Sequence, residues 1–260
     1  MQVHYSLGIS NKPKTLPRVG PNMRLIEQLQ IKLFVDAADL GSILEWCQNP
    51  LIKGLTTNPT LMRKAGVSDY EEFSRKVLNL FPNLPISIEV FADDLEGMES
   101  QARKIASWGS NAYVKIPITN TQGESTSPII RRLSESGVPL NITAVMTSEQ
   151  VETVRDALHR ATPTVVSVFA GRIADTGVDP VPIMQTSLQI LRGFPQAELL
   201  WASPREILNV FQADEIGTHI ITVTPDLLKK CVIVGRDLEA YSLETVKMFH
   251  GDAVAAGYSL

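Results

Sequence analysis

The sequence has little cysteine and histidine, and no motif that spaces either residue as a metal ligand. Its 260 residues include only two cysteines, Cys47 and Cys231, which lie far apart and outside any Cys-x-x-Cys pattern. A disulfide-rich secreted scaffold is therefore excluded, and the four scattered histidines do not have the spacing of a zinc site. We expect reduced thiols, a cytoplasmic protein and no structural metal.

Long apolar runs and blocks of like charge are also missing. No run approaches the roughly 18–20 apolar residues that a membrane span needs, so no membrane partner is expected. With 24 Lys and Arg against 28 Asp and Glu the net charge is −4, whereas domains that bind nucleic acid are usually basic along one face. We therefore expect no nucleic-acid partner either.

The first 30 residues differ from the rest of the chain. Lys12, Pro13 and Lys14 occupy the positions where a secretory signal would have its apolar core, so no such signal is predicted. We expect residues 1–30 to form a flexible, partly disordered N-terminal extension. Residues 31–260 are expected to form one domain.

From residue 31 onward, short apolar runs alternate with longer stretches of helical periodicity. Near-continuous apolarity is typical of parallel strands that are buried on both faces. Eight strands are predicted, over Leu33–Asp36, Gly54–Asn58, Ile86–Phe91, Ala112–Ile118, Leu140–Val145, Val165–Phe169, Leu199–Ser203 and His219–Val223. Helices are predicted between them, among others over Leu95–Trp108, Ser127–Ser136, Ile183–Arg192 and Pro204–Gln212.

Eight alternating βα units predict a single-domain (β/α)8 TIM barrel, followed by a C-terminal helix around Leu238–Phe249. Thr147 and Gln150 have the spacing of a capping box before one helix, and Pro204 suits the first turn of another. The alternative is an open doubly wound sheet. That fold more often has a glycine-rich turn after its first strand, and residues 35–39 contain no glycine.

In such a barrel, functional residues lie at the C-terminal ends of the strands. Seven of the eight predicted strands place polar or charged residues there. These candidates are Asp36, Thr56, Asn58, Glu89, Lys115, Asn141, Thr143, Ser167, Arg172, Ser203 and Arg205.

Lys115 is the most informative of these candidates, because its strand is too apolar to form a solvated face. Burial of an ammonium group is costly, and desolvation lowers the pKa of a lysine toward neutrality. A neutral amine inside a barrel is what Schiff-base chemistry on a carbonyl requires. The alternative is a structural lysine that pairs with Asp36 or Glu89.

Asp36 and Glu89 are candidates for proton transfer near that amine. The alternatives are a cap on the following helix for Asp36 and a buried ion pair with Lys115 for Glu89. Asn58, Asn141 and Ser167 are short polar side chains that suit substrate hydroxyls, although Asn58-Pro59 alone is an ordinary turn signal. Arg172 and Arg205 have the fork geometry that suits a phosphate, although single arginines more often form surface ion pairs.

Seven segments between residues 31 and 250 form an ordered set: Phe34-Val35-Asp36, Gly54-Leu55-Thr56-Thr57-Asn58-Pro59-Thr60, Ile88-Glu89-Val90, Val114-Lys115-Ile116-Pro117-Ile118-Thr119, Asn141-Ile142-Thr143-Ala144-Val145, Ser167-Val168-Phe169-Ala170-Gly171-Arg172-Ile173 and Ala202-Ser203-Pro204-Arg205. This set resembles the transaldolase/fructose-6-phosphate aldolase family of class I aldolases, in its short-chain branch. The resemblance implies that Lys115 forms an imine with a ketose phosphate and that Asp36 is the acid/base for C–C cleavage. It also implies that no metal or organic cofactor takes part.

The resemblance assigns further roles. Glu89 and Thr143 would hold the water for proton transfer and imine hydrolysis, with Thr56 nearby. The other residues implied to contact the substrate are Asn58, Asn141 and Ser167 at the dihydroxyacetone unit, Arg172 and Arg205 at the phosphate, and Phe169 and Ser203 beside them.

Three positions resemble transaldolases rather than fructose-6-phosphate aldolases. Glu89, Ser167 and Phe169 stand where the latter have Gln, Ala and Tyr. We therefore expect a transaldolase of the pentose phosphate pathway, which converts sedoheptulose 7-phosphate and glyceraldehyde 3-phosphate to erythrose 4-phosphate and fructose 6-phosphate. The alternatives are an aldolase that releases dihydroxyacetone and a non-catalytic sugar-phosphate-binding barrel. The resemblance also implies a homo-oligomer, pentameric or decameric, packed partly through the C-terminal helix.

Overall fold

The computed structural model of the protein describes residues 26–260, so most of the expected extension over residues 1–30 lies outside the described part. Residues 29–231 form one compact unit. Its strands pair in parallel and in chain order, and the last pairs with the first to close the barrel. The expected (β/α)8 TIM barrel is thereby confirmed. The strands are β1 (Lys32–Asp36), β2 (Ile52–Thr56), β3 (Ile86–Glu89), β4 (Ala112–Pro117), β5 (Leu140–Val145), β6 (Thr164–Val168), β7 (Ala197–Trp201) and β8 (Ile220–Val223).

Helices follow the strands on the outside of the barrel, as the alternating pattern predicts. They are α1 (Leu40–Cys47), α2 (Pro59–Lys64), α3 (Tyr70–Leu80), α4 (Leu95–Ala106), α5 (Ser127–Glu135), α6 (Ser148–Ala157), α7 (Ala170–Asp175), α8 (Val181–Leu191), α9 (Leu208–Glu215) and α10 (Pro225–Leu228). A 3₁₀ helix over Lys229–Ile233 comes next.

Side-chain caps define where several helices begin. Asp39 accepts a hydrogen bond from the backbone N–H of Ser42 and caps α1. The cap interpretation of Asp36 is therefore wrong, and the Asp36 carboxyl instead accepts a hydrogen bond from the hydroxyl of Thr56. The capping box of Thr147 and Gln150 is present at α6, as predicted.

One helix begins later than predicted. The helix expected over Pro204–Gln212 begins at Leu208, so Pro204 is not in its first turn. The side-chain oxygen of Asn209 accepts hydrogen bonds from the backbone N–H groups of Arg205 (2.8 Å) and Glu206 (3.2 Å). These bonds satisfy two of the backbone N–H groups in the loop over residues 204–207.

Strand alternation divides the barrel interior into layers. Phe34 packs in a buried cluster with Val165, Leu200, Ala202 and Ile220. Its ring occupies the space beside Gly54, where an added Cβ would lie 2.4 Å from the ring. Two residues beyond Phe34, β1 ends in Asp36, so the next inward layer toward the C-terminal ends of the strands is polar.

A second close approach joins the loop after β7 to the start of α7. A Cβ added at Gly171 would lie 1.5 Å from the backbone oxygen of Ser203, a residue that itself has a φ of 62°. We predict that Gly171→Ala lowers the free energy of unfolding by about 3 kcal/mol, the upper end of typical overpacking costs, because only backbone movement relieves this contact.

Urea denaturation of Gly171→Ala measures this cost. Gly41→Ala is the matched control, because its Cβ would lie 3.5 Å from the nearest atom, an ordinary contact within a helix. Equal stability of the two variants would contradict the prediction.

Residues 26–28 and Val232–Leu260 belong to a second unit. It contains the expected C-terminal helix, α11 (Leu238–Ala255), which Asp237 caps by accepting a hydrogen bond from the N–H of Ala240. Several large apolar side chains on α11 are exposed: Leu238, Tyr241, Leu243, Val246, Met248, Phe249 and Val254. Among residues 26–260, no helix is both long enough and apolar enough to cross a membrane.

Candidate functional site

The centre of the candidate site is a buried lysine on β4. The register of three neighbouring strands puts Glu89, Lys115 and Asn141 side by side. Lys115 is only 6% exposed, its Nζ lies 2.9 Å from Glu89 Oε2, and it donates a 3.0 Å hydrogen bond to the backbone oxygen of Thr57. The ion pair offered above as the alternative for these two residues is therefore present. A charged pair inside a barrel stabilises little by itself, so its position in a polar layer is the more informative fact.

Asp36 is the second carboxylate of the site. It ends β1 in register with Thr56, whose hydroxyl donates a 2.8 Å hydrogen bond to Asp36 Oδ1. Desolvation has the largest effect and raises the pKa of Asp36, while the charge of Lys115 and the Thr56 hydrogen bond lower it and the charge of Glu89 raises it. The net result is a raised pKa, which suits a group that must both accept and release a proton.

Asn141 is held in one orientation by two serines. Its Nδ2 donates to Ser87 Oγ at 2.9 Å, and its Oδ1 accepts from Ser167 Oγ at 2.7 Å. All three side chains are buried. The network joins β3, β5 and β6, so the three side chains form one polar row across the barrel interior. Ser87 was not a candidate from the sequence, although it lies two residues before Glu89 and so faces the same side.

Thr143 adds a buried hydroxyl beside this row. It lies in register with Pro117, two residues after Asn141 on the inward side of β5. Among the described residues, Thr143 Oγ1 has no hydrogen-bond partner. Because buried hydroxyls are nearly always paired, this group is suited to contact a bound molecule. The following residue, Ala144, has a φ of 60°, a conformation that is uncommon for residues other than glycine and is enriched at functional sites.

Asn58 has a structural task in addition to any binding role. It caps α2, because its side-chain oxygen accepts a 2.9 Å hydrogen bond from the N–H of Leu61. For this reason β2 ends at Thr56 rather than at Asn58 as predicted. The implied substrate contact would use the amide nitrogen.

The two arginines occupy different environments. The guanidinium carbon of Arg172 lies 5.2 Å from the centre of the Phe169 ring, which is half-buried against the interior cluster. Arg205 instead forms a two-oxygen ion pair with Asp175, and both side chains are about half exposed. The surface ion-pair alternative therefore applies to Arg205. Ser203 lies in the loop after β7, where its backbone oxygen closely approaches Gly171.

The eighth strand contributes a residue that the sequence did not single out. Thr222 on β8 is buried, and its hydroxyl oxygen lies 2.5 Å from that of Thr56. Threonine is common in any strand, so its type carried no signal. It differs from an ordinary strand threonine only because it faces inward, in register with Phe34 on β1.

The fold and this site define a class of protein: a (β/α)8 barrel with a buried amine, two carboxylates and a row of hydroxyl and amide groups at the C-terminal ends of its strands. Within residues 26–260 there is no group of three or more His, Cys, Asp or Glu side chains that could hold a metal ion.

Comparison with known proteins identifies the family. The model of the Transaldolase/Fructose-6-phosphate aldolase family matches residues 33–258, and the chain belongs to this family. A probable transaldolase of Thermoanaerobacter sp. (strain X514) is 34% identical over 203 residues, 78% of this chain and 89% of the relative. A probable transaldolase of Dehalococcoides mccartyi is 35% identical over 195 residues, which are 74% of this chain and 86% of that protein.

Solved structures at low identity share the fold. A putative phosphonomutase from Burkholderia cenocepacia J2315 has a TM-score of 0.55 at 11% identity, covering 90% of this chain and 99% of its own. A 3-keto-L-gulonate-6-phosphate decarboxylase from Vibrio cholerae has a TM-score of 0.54 at 11% identity, covering 79% of this chain and 93% of its own. These likenesses extend to the barrel alone.

Proposed function

We propose that the protein is a transaldolase, which moves a dihydroxyacetone unit from a ketose phosphate to an aldose phosphate through a Schiff base on Lys115. The observation that carries this proposal is the Lys115 amine, buried 2.9 Å from Glu89 in the polar layer that also holds Asp36. Membership of the family supports it. The proposed reaction is the one expected from the sequence. It converts sedoheptulose 7-phosphate and glyceraldehyde 3-phosphate to erythrose 4-phosphate and fructose 6-phosphate in the pentose phosphate pathway.

The first step of the proposed reaction is imine formation. Lys115 passes a proton to its Glu89 partner, and the free electron pair on Nζ attacks the carbonyl carbon of the ketose. A C–N bond forms, and the carbonyl oxygen leaves as water with one proton from the amine and the proton held by Glu89, so that a protonated imine and an ionised Glu89 remain. Glu89 and Thr143 hold that water, which is consumed again when the imine is hydrolysed. The unpartnered hydroxyl of Thr143 supports this assignment.

The second step is C–C cleavage. Asp36 takes the proton of the substrate hydroxyl, the C–C bond breaks, an aldehyde leaves, and the bonding electron pair is delocalised into the enamine on Lys115. An incoming aldehyde then reverses these events. Asn141 and Ser167, held in fixed orientation, bind the hydroxyls of the retained unit, and the amide nitrogen of Asn58 assists them. Thr56 orients Asp36.

The proposal is tested by following fructose 6-phosphate with and without erythrose 4-phosphate, with Lys115→Ala as the blank. Sedoheptulose 7-phosphate formed only with the acceptor, and absent from the variant, is the expected result. Dihydroxyacetone released without an acceptor would instead indicate an aldolase. No reaction in either tube would overturn the proposed substrate.

Phosphate binding is proposed to depend on Arg172 more than on Arg205, because Arg205 is already paired with Asp175. We predict that Arg172→Ala raises KM for erythrose 4-phosphate about tenfold or more, since hydrogen bonds between charged groups contribute about 1.5–3 kcal/mol. Arg205→Ala should raise it about threefold, in line with the modest energies of exposed pairs. Unphosphorylated erythrose is the control substrate, with KM unchanged in both variants. A larger effect of Arg205→Ala would contradict this ranking.

The assembly and location of the protein are also proposals. We propose a cytoplasmic homo-oligomer, pentameric or decameric, and one domain over residues 31–260 after the N-terminal extension. The exposed apolar side chains of α11 support self-association, because contiguous exposed apolar surface is typical of interfaces. Analytical ultracentrifugation measures the assembly directly, and a monomer would refute it.

A further inference from the structure

A line of hydrogen-bonded oxygens connects the eighth strand to Asp36. Thr222 is 5% exposed, and its hydroxyl oxygen lies 2.5 Å from that of Thr56. The Thr56 hydroxyl in turn lies 2.8 Å from Asp36 Oδ1. β1 pairs with β2 on one side and with β8 on the other, so the two threonines come from the strands that flank the aspartate.

The number of protons on these groups sets the direction of the bonds. Each threonine hydroxyl has one proton to donate. When Asp36 is ionised it can only accept, so the Thr56 proton goes to Asp36. The proton between the two threonines must then come from Thr222. Thr222 therefore donates to Thr56 whenever Asp36 is ready to act as a base.

We infer that Thr222 is a positioning residue that acts on Asp36 through Thr56. A hydroxyl that accepts a hydrogen bond becomes a stronger donor, since consecutive hydrogen bonds polarise one another. Thr222 thus strengthens the bond that stabilises the Asp36 carboxylate, and it holds the Thr56 hydroxyl in the orientation that this bond needs. This role deepens the proposed function, in which Asp36 is the base, and it rests on that proposal.

The groups around Asp36 determine the sign of the expected effect. Lys115 and the Thr56 hydrogen bond favour the ionised form, whereas desolvation and Glu89 disfavour it. Weakening the hydrogen bond from Thr56 therefore leaves less to oppose the effect of desolvation, which raises the pKa of Asp36. The pKa of Asp36 should rise further when Thr222 loses its hydroxyl.

The test compares Thr222→Val, which has the same shape without the hydroxyl, with Thr222→Ser, which keeps it. In Thr222→Val we expect the acid limb of the kcat/KM profile to move up by about half a pH unit, a loss of about threefold on that limb, because the lost hydrogen bond acts on Asp36 only indirectly. Thr222→Ser should restore the wild-type profile.

Thr164→Val is the matched control. Thr164 is also a buried strand threonine with a hydroxyl bond, to the backbone oxygen of Thr162, but it lies at the other end of the barrel. Its pH profile should equal that of the wild type. A shift of similar size in Thr164→Val, or none in Thr222→Val, would overturn the inference.

A second readout separates this inference from the proposed reaction. With 13C-labelled aspartate, the carboxyl resonance of Asp36, assigned by its loss in Asp36→Asn, reports the titration without any substrate. A higher midpoint in Thr222→Val supports the inference even if the wild type fails to turn over fructose 6-phosphate. An unchanged midpoint in folded Thr222→Val overturns it, whatever the activity.

Discussion

Replacing Lys115 with alanine is expected to lower turnover by at least about four orders of magnitude, because the proposed imine forms on Lys115, the only buried lysine among the residues that the structure describes. Wild-type protein treated with borohydride in the presence of fructose 6-phosphate should gain the mass of a reduced dihydroxyacetone unit, and the variant should not. Peptide mapping of the labelled protein should place that mass on Lys115. A label elsewhere would contradict the assignment.

Two further variants distinguish loss of the Lys115 amine from misfolding. Removal of Lys115 alone leaves the Glu89 carboxylate, which is 18% exposed, without its partner, and breaking a buried pair costs up to about 3–5 kcal/mol. The double variant Lys115→Met, Glu89→Gln removes both charges together and should fold while remaining inactive. Lys32→Ala is the matched control, because Lys32 also pairs with a glutamate, Glu198, but at the exposed start of its strand. It should keep both turnover and trapping.

The Asp36→Asn variant should lose turnover by about 10²–10⁴-fold, the usual contribution of a general acid–base group, while borohydride still traps the imine. The reason is that in the proposed reaction Asp36 acts in C–C cleavage and not in imine formation. Asp39→Asn is the control, because asparagine also caps helices well and Asp39 caps α1. Loss of trapping together with turnover would indicate that Asp36 is needed for structure instead.

The pH dependence of Asp36 follows from its raised pKa. Because the ionised form is the base, wild-type activity should fall as the pH drops through the pKa of the folded state, which is above the ordinary 3.8. The contribution of Asp36 to the free energy of unfolding has the opposite dependence on pH. The folded state binds this proton more tightly than the unfolded chain, so the Asp36 contribution declines as pH rises from 3.8 through the folded pKa. Asp36→Asn should therefore be more stable than the wild type at neutral pH, as thermal unfolding would show.

Strand and helix periodicity predicted the barrel because local pattern and global fold agree. The fifth strand has the predicted bounds, Leu140–Val145: five of its six residues are buried, and Thr147 caps the helix that follows it. The helix after β7 was misplaced at Pro204, where proline is equally suited to a loop. The structure of this segment depends on the Asn209 side chain, which accepts a hydrogen bond from the N–H of Arg205, four residues earlier. No rule based on composition specifies this contact.

The candidate site was predicted only in part, and for a similar reason. Charged residues in apolar strands, such as Lys115 and Asp36, are conspicuous because burial of charge is costly. Ser87 and Thr222 are small neutral residues that any strand accommodates, and their importance comes from which oxygen lies opposite them. The pairing of Arg205 with Asp175 likewise depends on how two loops meet. Such relations arise from register and loop geometry, which the linear order of residues does not contain.

The ring of Phe34 beside Gly54, with the apolar cluster around it, closes one end of the barrel below the polar layer. A molecule bound at the polar layer must therefore enter and leave at the C-terminal ends of the strands. In a transfer between two substrates, both must therefore use the same opening, one after the other. In the proposed reaction, the departing aldehyde has to leave before the acceptor can reach the enamine, so the product and the incoming acceptor compete for the same route.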